Sequence, residues 1–491
     1  MARILFAMAY PGYLRLYGTT VIGLASRGHE VLLAYDKTKT GHDEQPVPEG
    51  APASVRAIGL LPQHGGRWRD AAIDLGCTID YIRFLSRRDG TPYLRMRMEK
   101  YLPARFSGLR RIGSWPPWLV RTLAAASRAA ERMIPVDAAL VEYLRGLDPD
   151  VIVVTPLVAR GPSGVQQTQV VKAARRAGIP VALAVGSWDH LSSKGLIRVA
   201  PDLVILWNET QKDEATRMHG VPADRVLVTG AQAFDSWFGR APSLSRDAFL
   251  SRVQLPTGRP MLLYVGSSRG IAKPSLEVAF VRRWVTAIRA AADPAVRSAS
   301  VLVRPHYSNM EAWSEVDFSD LPDVAIWPRQ RPSLPMTQTD AADYFHSMHY
   351  SAAVVGINTS AMIESSIVGR AVFTVQVPEF ASTQEGTTHF HYLLFDRDGC
   401  VESAPSFDAH VKQLGRALAD PQYARDARSR FVARFVRPNG IDTPAVDYVV
   451  SAIERLTRLR SPRERTAHDT GASGRDASHA SSYAGDRSGL H

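Results

Sequence analysis

Short apolar runs alternate along this chain with longer stretches that repeat hydrophobic positions at helical spacing. Residues 3–9, 31–35, 55–60, 151–155, 181–185, 203–206 and 226–228 are each too short for a helix and mostly Val, Ile, Leu and Ala. Runs apolar at every position are buried on both faces, as in a parallel sheet covered by helices. Between them, 14–26, 136–146, 165–177 and 209–219 carry the helical period, with a flexible loop expected at 161–164. The alternation starts again at 261–265 and continues through 301–303, 324–327, 352–355 and 371–375. Helices are expected there at 275–291, 340–348, 407–418, 423–435 and 444–459. Strand, helix, strand in series predicts an α/β chain of two Rossmann-like doubly wound domains. No short period repeats.

The two series part near 237–242. The sequence therefore predicts a first domain at 1–238, a second at 239–440, a closing amphipathic helix at 441–460, and a disordered tail of Ser, Ala, Gly, Asp and Arg at 461–491. A length of 491 residues suits two cores rather than one. No run of eighteen apolar residues occurs. The first fifteen residues read as a strand and turn, because Pro11 and Gly12 interrupt the apolar stretch. Cys77 and Cys400 form no metal or redox spacing, which fits a reducing cytoplasm.

The net charge of +11 points to anionic partners. Much of it falls in 83–132, where few acids (Asp89, Glu99, Glu131) stand among many arginines. Phe84, Tyr93, Tyr101, Phe106, Trp115 and Trp118 are interleaved there. The segment reads as a helical insertion whose basic face is either simply solvated or meets an anionic membrane surface or lipid diphosphate. No nucleic-acid motif accompanies the charge, so a nucleic-acid partner is not expected.

The candidate chemistry gathers at strand ends. At 351–374 an apolar run breaks at Gly356, and Asn358, Thr359 and Ser360 are helix-starting residues. Gly369 then stops the helix before the next strand. Such a turn aims backbone N–H groups at one point and suits a phosphate. Glu364 lies four residues after Ser360, one too many for a capping box. It is either a solvated helix acid or a carboxylate for a ligand's hydroxyls. Gly266, Ser267, Ser268, Arg269 and Gly270 follow another strand and read as a phosphate loop, with Arg269 and Lys273 reaching the anion. Arg304 and His306, at the end of the following strand, fit the same anion.

The stretch 187–195 follows the strand at 181–185 and offers Trp188, Asp189, His190 and Lys194; Asp189 and His190 are the candidate catalytic pair. Asp189 equally suits a turn-shaping role. Asp235 is a weaker candidate. Neither G-x-G-x-x-G after the first strand nor G-x-x-x-x-G-K-[ST] occurs, which disfavours a dinucleotide cofactor and a P-loop. The pairs His346/His349 and His389/His391 lack a third ligand, so no metal site is expected. Gly266-x-Ser268-x-Gly270 formally matches a hydrolase nucleophile elbow, but Pro274 delays the helix that must follow at once.

The layout of 343–395, the opening strand with Pro11-Gly12 and the later Arg27-Gly28-His29-Glu30-Val31, and the stretch 201–235 resemble GT-B glycosyltransferases, of the UDP-glycosyltransferase and glycogen-phosphorylase-like kind. The resemblance extends over about 1–460 and is similar in type to surface-polysaccharide enzymes. It implies a metal-independent, cofactor-free transferase. Its second domain would hold a nucleotide-sugar donor, with Glu364 on the ribose. Its first domain would hold a glycan or lipid-linked acceptor, with Gly12 and Tyr13 of the first turn bordering the cleft on the acceptor side with Trp188 and Lys194. The setting implied is cell-envelope glycan assembly in the bacterial cytoplasm, with a peripheral contact at the membrane face. The Asp396/Asp398 pair would then be a chance match to the metal motif of another transferase fold. Other readings left open are a nucleotide-sugar 2-epimerase, a CDP-glycerol-type polyol-phosphate transferase, a serine hydrolase through Ser268, and a non-catalytic binding protein of the same fold.

Overall fold

Among the described residues, thirteen strands form two separate parallel sheets, each with helices on both faces. The computed structural model describes residues 1–37, 46–63, 65, 68–85, 90–111, 116–330 and 337–459. The tail 461–491, together with Asp89 and Trp115 of the basic segment, lies outside the described residues.

The first sheet contains β1 (Arg3–Met8), β2 (Glu30–Tyr35), β3 (Val55–Leu60), β4 (Val151–Thr155), β5 (Val181–Ala184), β6 (Leu203–Leu206) and β7 (Val226–Val228). Its order is β3-β2-β1-β4-β5-β6-β7. The second contains β8 (Met261–Val265), β9 (Ser300–Arg304), β10 (Val324–Ile326), β11 (Ala353–Gly356), β12 (Ala371–Val375) and β13 (Val401–Ala404). Its order is β10-β9-β8-β11-β12-β13. In both, strand order reverses beside the first strand, between β1 and β4 and between β8 and β11. A crevice opens there at the carboxyl ends of the strands, where open α/β sheets bind ligands.

The apolar runs become strands because both their faces are covered. β4 and β8 are buried at every position. The helix Ala445–Thr457 returns to the first domain, where Val449, Val450, Ile453 and Leu456 pack with Ile4, Phe6 and Val21. Burying each such side chain contributes roughly 1.5–3 kcal/mol.

Three local readings change. β13 has the sequence VESA, half of it polar, and gives no apolar run; it forms because an edge strand needs only one buried face. The expected loop at 161–164 is the first turn of the helix Pro162–Ala177, which Pro162 starts from the N1 position. The helix expected at 423–435 runs over Arg425–Phe431 and continues as a π-turn, Val432–Val436.

In the basic insertion, the helices Arg69–Arg83, Pro92–Glu99 and Pro117–Met133 build a small core of their own around Tyr81, Phe84, Leu94 and Val120. Some of the segment's charge is internal. Its Glu131 is buried against Arg198 (3.0 Å), which also meets Asp80 (3.0 Å), and its Arg83 guanidinium donates to the Leu191 carbonyl. Trp118 is 61% exposed at the start of the third helix. Among the described residues no helix is long and apolar enough to cross a membrane.

Candidate functional site

The second domain's crevice is built by two turns. Val265 ends β8 and Gly266 follows with no room for a side chain: a Cβ there would sit 2.6 Å from the His306 backbone nitrogen. That close approach lets the loops after β8 and β9 share one wall. The loop after β11 supplies the other. Among the described residues, no acceptor takes the N–H groups of Thr359 and Ser360, whereas those of Met362, Ile363 and Glu364 turn back onto the carbonyls of Thr359 and Ser360. The cavity between the walls has a volume of about 390 Å³ and is lined by Gly266, Ser268, Arg304, His306, Thr359, Ser360 and Glu364, all expected from the sequence. Ser360 is helical in conformation and makes no side-chain cap; its hydroxyl accepts from Trp188 Nε1 at 3.3 Å, across the two domains.

Two other expected residues act one layer behind. Ser267 is fully buried; its N–H donates to Glu277 at 2.7 Å and its hydroxyl accepts from the Asn358 N–H at 3.4 Å. The Asn358 amide donates to the Thr383 carbonyl at 2.7 Å. Both hold the two turns together rather than lining the cavity. Arg269 and Lys273 line a different cavity, because the loop bends between Ser268 and Gly270 and sends them toward the insertion.

Arg15 and Tyr344 also line the 390 Å³ cavity, and the sequence did not mark either. Arg15 stands one residue into the helix Leu14–Ser26 of the first domain and reaches over the cleft. Among the described residues it has no ion-pair partner. Tyr344 donates to Glu364 Oε2 at 2.5 Å, while the Arg304 guanidinium lies 4.9 Å from its ring centre. Burial pushes the Glu364 carboxyl up to about 7, against the hydrogen bond from Tyr344 and the charge of Arg15. Burial lowers Arg304 to about 10, and it donates to Ser347 Oγ at 2.9 Å. Burial, with Arg15, lowers His306 to about 4, so its ring is neutral. Its Nδ1 accepts from the Ser308 N–H at 3.2 Å, which places the proton on Nε2.

A second cavity of about 580 Å³ adjoins the first. Arg15, Tyr344, Ser360 and Glu364 line both, so the two form one cleft between the domains. Its other walls include Tyr13, Asp189, His190 and Lys194. Gly12 sits in the turn Pro11–Tyr13 but is not on the wall, and Trp188 is buried behind it, edge-on to His389 at 4.9 Å. Burial alone would raise Asp189; Lys194, His190 and His389 together hold its carboxyl well below the usual carboxylate range. Lys194 Nζ is 3.8 Å away, and the Ser187 hydroxyl donates to Asp189 at 2.6 Å. Burial and Lys194 lower His190 to about 3, so it too is neutral.

Several candidates fall outside the cleft. Asp235 accepts from Arg437 at 2.8 Å and from the N–H groups of Ala445 and Val446, so it caps the returning helix. His346 accepts from the Ser243 N–H at 3.0 Å. Among the described residues no group of His, Cys, Asp and Glu could hold a metal ion. Ser268 has no histidine partner among the described residues, and the helix after it begins only at Pro274; neither feature suits a nucleophile elbow.

Two facing Rossmann-like domains, a cleft at their switch points and a returning C-terminal helix define the GT-B fold. Comparison with solved structures agrees. A UDP co-structure of S. aureus MnaA superposes with a TM-score of 0.50 at 11% identity, covering 94% of this chain and 98% of the other. A UDP-N-acetylglucosamine 2-epimerase (so designated) from Listeria monocytogenes gives 0.51 at 10% identity over 94% and 98%. A glycosyltransferase from Rickettsia africae ESF-5 gives 0.50 at 9% identity over 93% and 98%. Likeness at such identity establishes the fold. No protein-family model and no curated protein sequence matches the chain.

Proposed function

We propose that the protein is a glycosyltransferase that takes a sugar from a nucleotide-diphosphate donor to an acceptor hydroxyl. The observation that carries this reading is the shared wall of the two cavities: Arg15, Ser360 and Glu364 face both. A donor in the smaller cavity would place its diphosphate at the N–H groups of Thr359 and Ser360, between Arg15 and Arg304. Its ribose hydroxyls would meet Glu364, and the neutral His306 would donate from Nε2. Cations and fixed N–H groups stabilise the charge that grows on the leaving diphosphate. The sugar would then lie at the junction, and the acceptor in the larger cavity beside Asp189. Asp189, ionised and fixed by Ser187 and Lys194, takes the acceptor proton; His190 orients the hydroxyl.

Two of the fold neighbours are a UDP complex and an enzyme designated a UDP-N-acetylglucosamine 2-epimerase, which favours uridine in the donor and keeps epimerisation as the second reading. An epimerase needs no acceptor. The 580 Å³ cavity beside the donor place favours transfer. The acceptor we infer is a cell-envelope glycan or lipid-linked sugar. The test is incubation with a panel of radiolabelled nucleotide sugars, with and without crude envelope acceptors. Acceptor-dependent nucleotide release supports transfer. Conversion of the sugar without acceptor supports epimerisation, and no turnover with any donor overturns both.

A further inference from the structure

A third cavity, of about 570 Å³, opens where the basic insertion meets the loop after β8. Its walls carry Arg97 and Lys100 from the insertion, Arg160 from the segment after β4, and Arg269 and Lys273 from the second domain. Among the described residues none of these five side chains has a carboxylate within ion-pair distance. The one acid on the wall, Glu379, is taken by Arg283. Like charges brought together without counter-charges cost free energy, so an anion is the missing partner.

The site is built rather than incidental. Tyr93 donates to the Gly270 carbonyl at 2.5 Å and Thr91 to the Gly386 carbonyl at 2.5 Å, which ties the insertion to the second domain. Tyr101 covers Gly161 so closely that a Cβ there would lie 2.7 Å from its ring. The sixteen-residue helix Pro274–Arg289 starts at the pocket wall, directly after Lys273, with its positive end toward the cations. The pocket shares no lining residue with the acceptor cavity, but their walls are joined: the N–H of Gly195, next to Lys194, donates to the carbonyl of Val158, two residues before Arg160, at 2.8 Å. After burial and Asp189, Arg160 and Arg97 are the next charges acting on the Lys194 ammonium.

We propose that this pocket binds a phosphate or diphosphate group carried by the acceptor, so that the acceptor hydroxyl lies beside Asp189 while its anion is held by Arg97, Lys100, Arg160, Arg269 and Lys273. The assignment of that anion to an acceptor rests on the transferase reading; the anion site itself does not. It explains why Arg269 and Lys273 turn away from the donor cavity, and why the insertion is basic on the side that faces the cleft.

The test is calorimetric titration of the full chain with inorganic diphosphate. Wild type should show two sites. Arg15→Ala should weaken only the donor-cleft site, and the Arg97→Ala/Lys273→Ala double variant should weaken only the other, by about tenfold or more, because it removes charge-assisted contacts. A single site in wild type that Arg15→Ala abolishes, or a second site untouched in the double variant, overturns the proposal. Displacement then identifies the source. Displacement by phosphatidylcholine vesicles containing phosphatidic acid assigns the phosphate to a lipid, and displacement by a soluble sugar 1-phosphate assigns it to a soluble acceptor. Displacement by neither overturns the acceptor assignment. Failure of the nucleotide-sugar panel with two diphosphate sites intact would overturn the transferase reading, and the acceptor assignment with it, while the anion site stands.

Discussion

A carboxyl pushed up to about 7 by burial is half protonated at neutral pH before any ligand arrives, and Glu364 is in that state although the Tyr344 hydroxyl donates to it. Ribose hydroxyls donating to the same group would favour its charged form. Donor affinity should therefore fall as pH drops below about 7, by about tenfold per unit where one proton must be lost on binding. Glu364→Gln should weaken nucleotide binding by about 1.5–3 kcal/mol, the usual worth of a hydrogen bond to a charged group, and should remove the pH dependence. Calorimetric titration with ribo- and 2′-deoxynucleotides between pH 5.5 and 8 checks both. Equal affinities in all four pairings would return Glu364 to the role of an ordinary helix acid. Asp189 behaves in the opposite way, since its neighbours keep it ionised far below neutrality. Asp189→Asn should lower kcat by about 10²–10⁴, while wild-type kcat at saturating donor stays flat from pH 8 to 5. A kcat that drops with an apparent pKa near 6 to 7 would assign the proton transfer to another group.

The return of the chain at Ala445–Thr457 depends on one side chain. Asp235 accepts from Arg437 and from the first two N–H groups of that helix, all out of water. Asp235→Ala removes the cap and leaves a buried guanidinium with, among the described residues, the Ile441 carbonyl and the Phe238 ring as its remaining contacts. Breaking such a buried pair costs roughly 3–5 kcal/mol. Urea unfolding should show that loss, and amide exchange should rise first in Ala445–Thr457; an unchanged midpoint would mean the helix is held by packing alone. From sequence Asp235 was a weaker catalytic candidate, and nothing local shows a partner two hundred residues away. The same limit explains what else was and was not legible. Strands buried on both faces, such as Val151–Thr155, announce themselves, whereas the polar edge strand Val401–Ala404 does not. The turn at Gly356 and Glu364 was legible because its chemistry is local. Arg15 and Tyr344 were not: Arg15 matters only through the opposite wall of the cleft, and Tyr344 only through Glu364, which stands on the next helix of the same domain. Arg269 and Lys273 were placed near the right loop but on the wrong side of it, because spacing fixes the order of side chains and not the direction in which a loop releases them.

Across the whole molecule, burial has left two populations of titrating groups whose effects on stability oppose each other. Asp36, Glu214, Glu277 and Glu364 are all raised to about 7 by burial. Their ordinary range is about 4, so between about pH 4 and 7 the folded chain holds protons that the unfolded chain releases, and each subtracts stability as pH rises. Burial lowers His306, His389 and His410 to about 4, His190 to about 3 and His219 well below its usual range. Between about pH 4 and 6.5 the unfolded chain holds those protons instead, so each adds stability as pH rises. The two slopes oppose each other, with His346 and His349 also lowered by burial and Asp80 also raised, so the unfolding free energy should change less from about pH 4.5 to 6.5 than the histidines alone would make it. Removing one member exposes the balance. His410 is fully buried between Trp284 and Phe373, with Gln413 the polar side chain beside it, away from both cavities of the cleft. His410→Phe deletes a proton that only the unfolded chain takes up. Relative to wild type it should gain about 1.4 kcal/mol per pH unit on going down from 6.5, reaching about 2 kcal/mol at pH 5 over whatever packing change it shows at pH 8. Urea melts of both proteins at pH 5, 6 and 8 measure that difference. A shift of the same size at every pH would show that His410 titrates alike in the folded and unfolded chain.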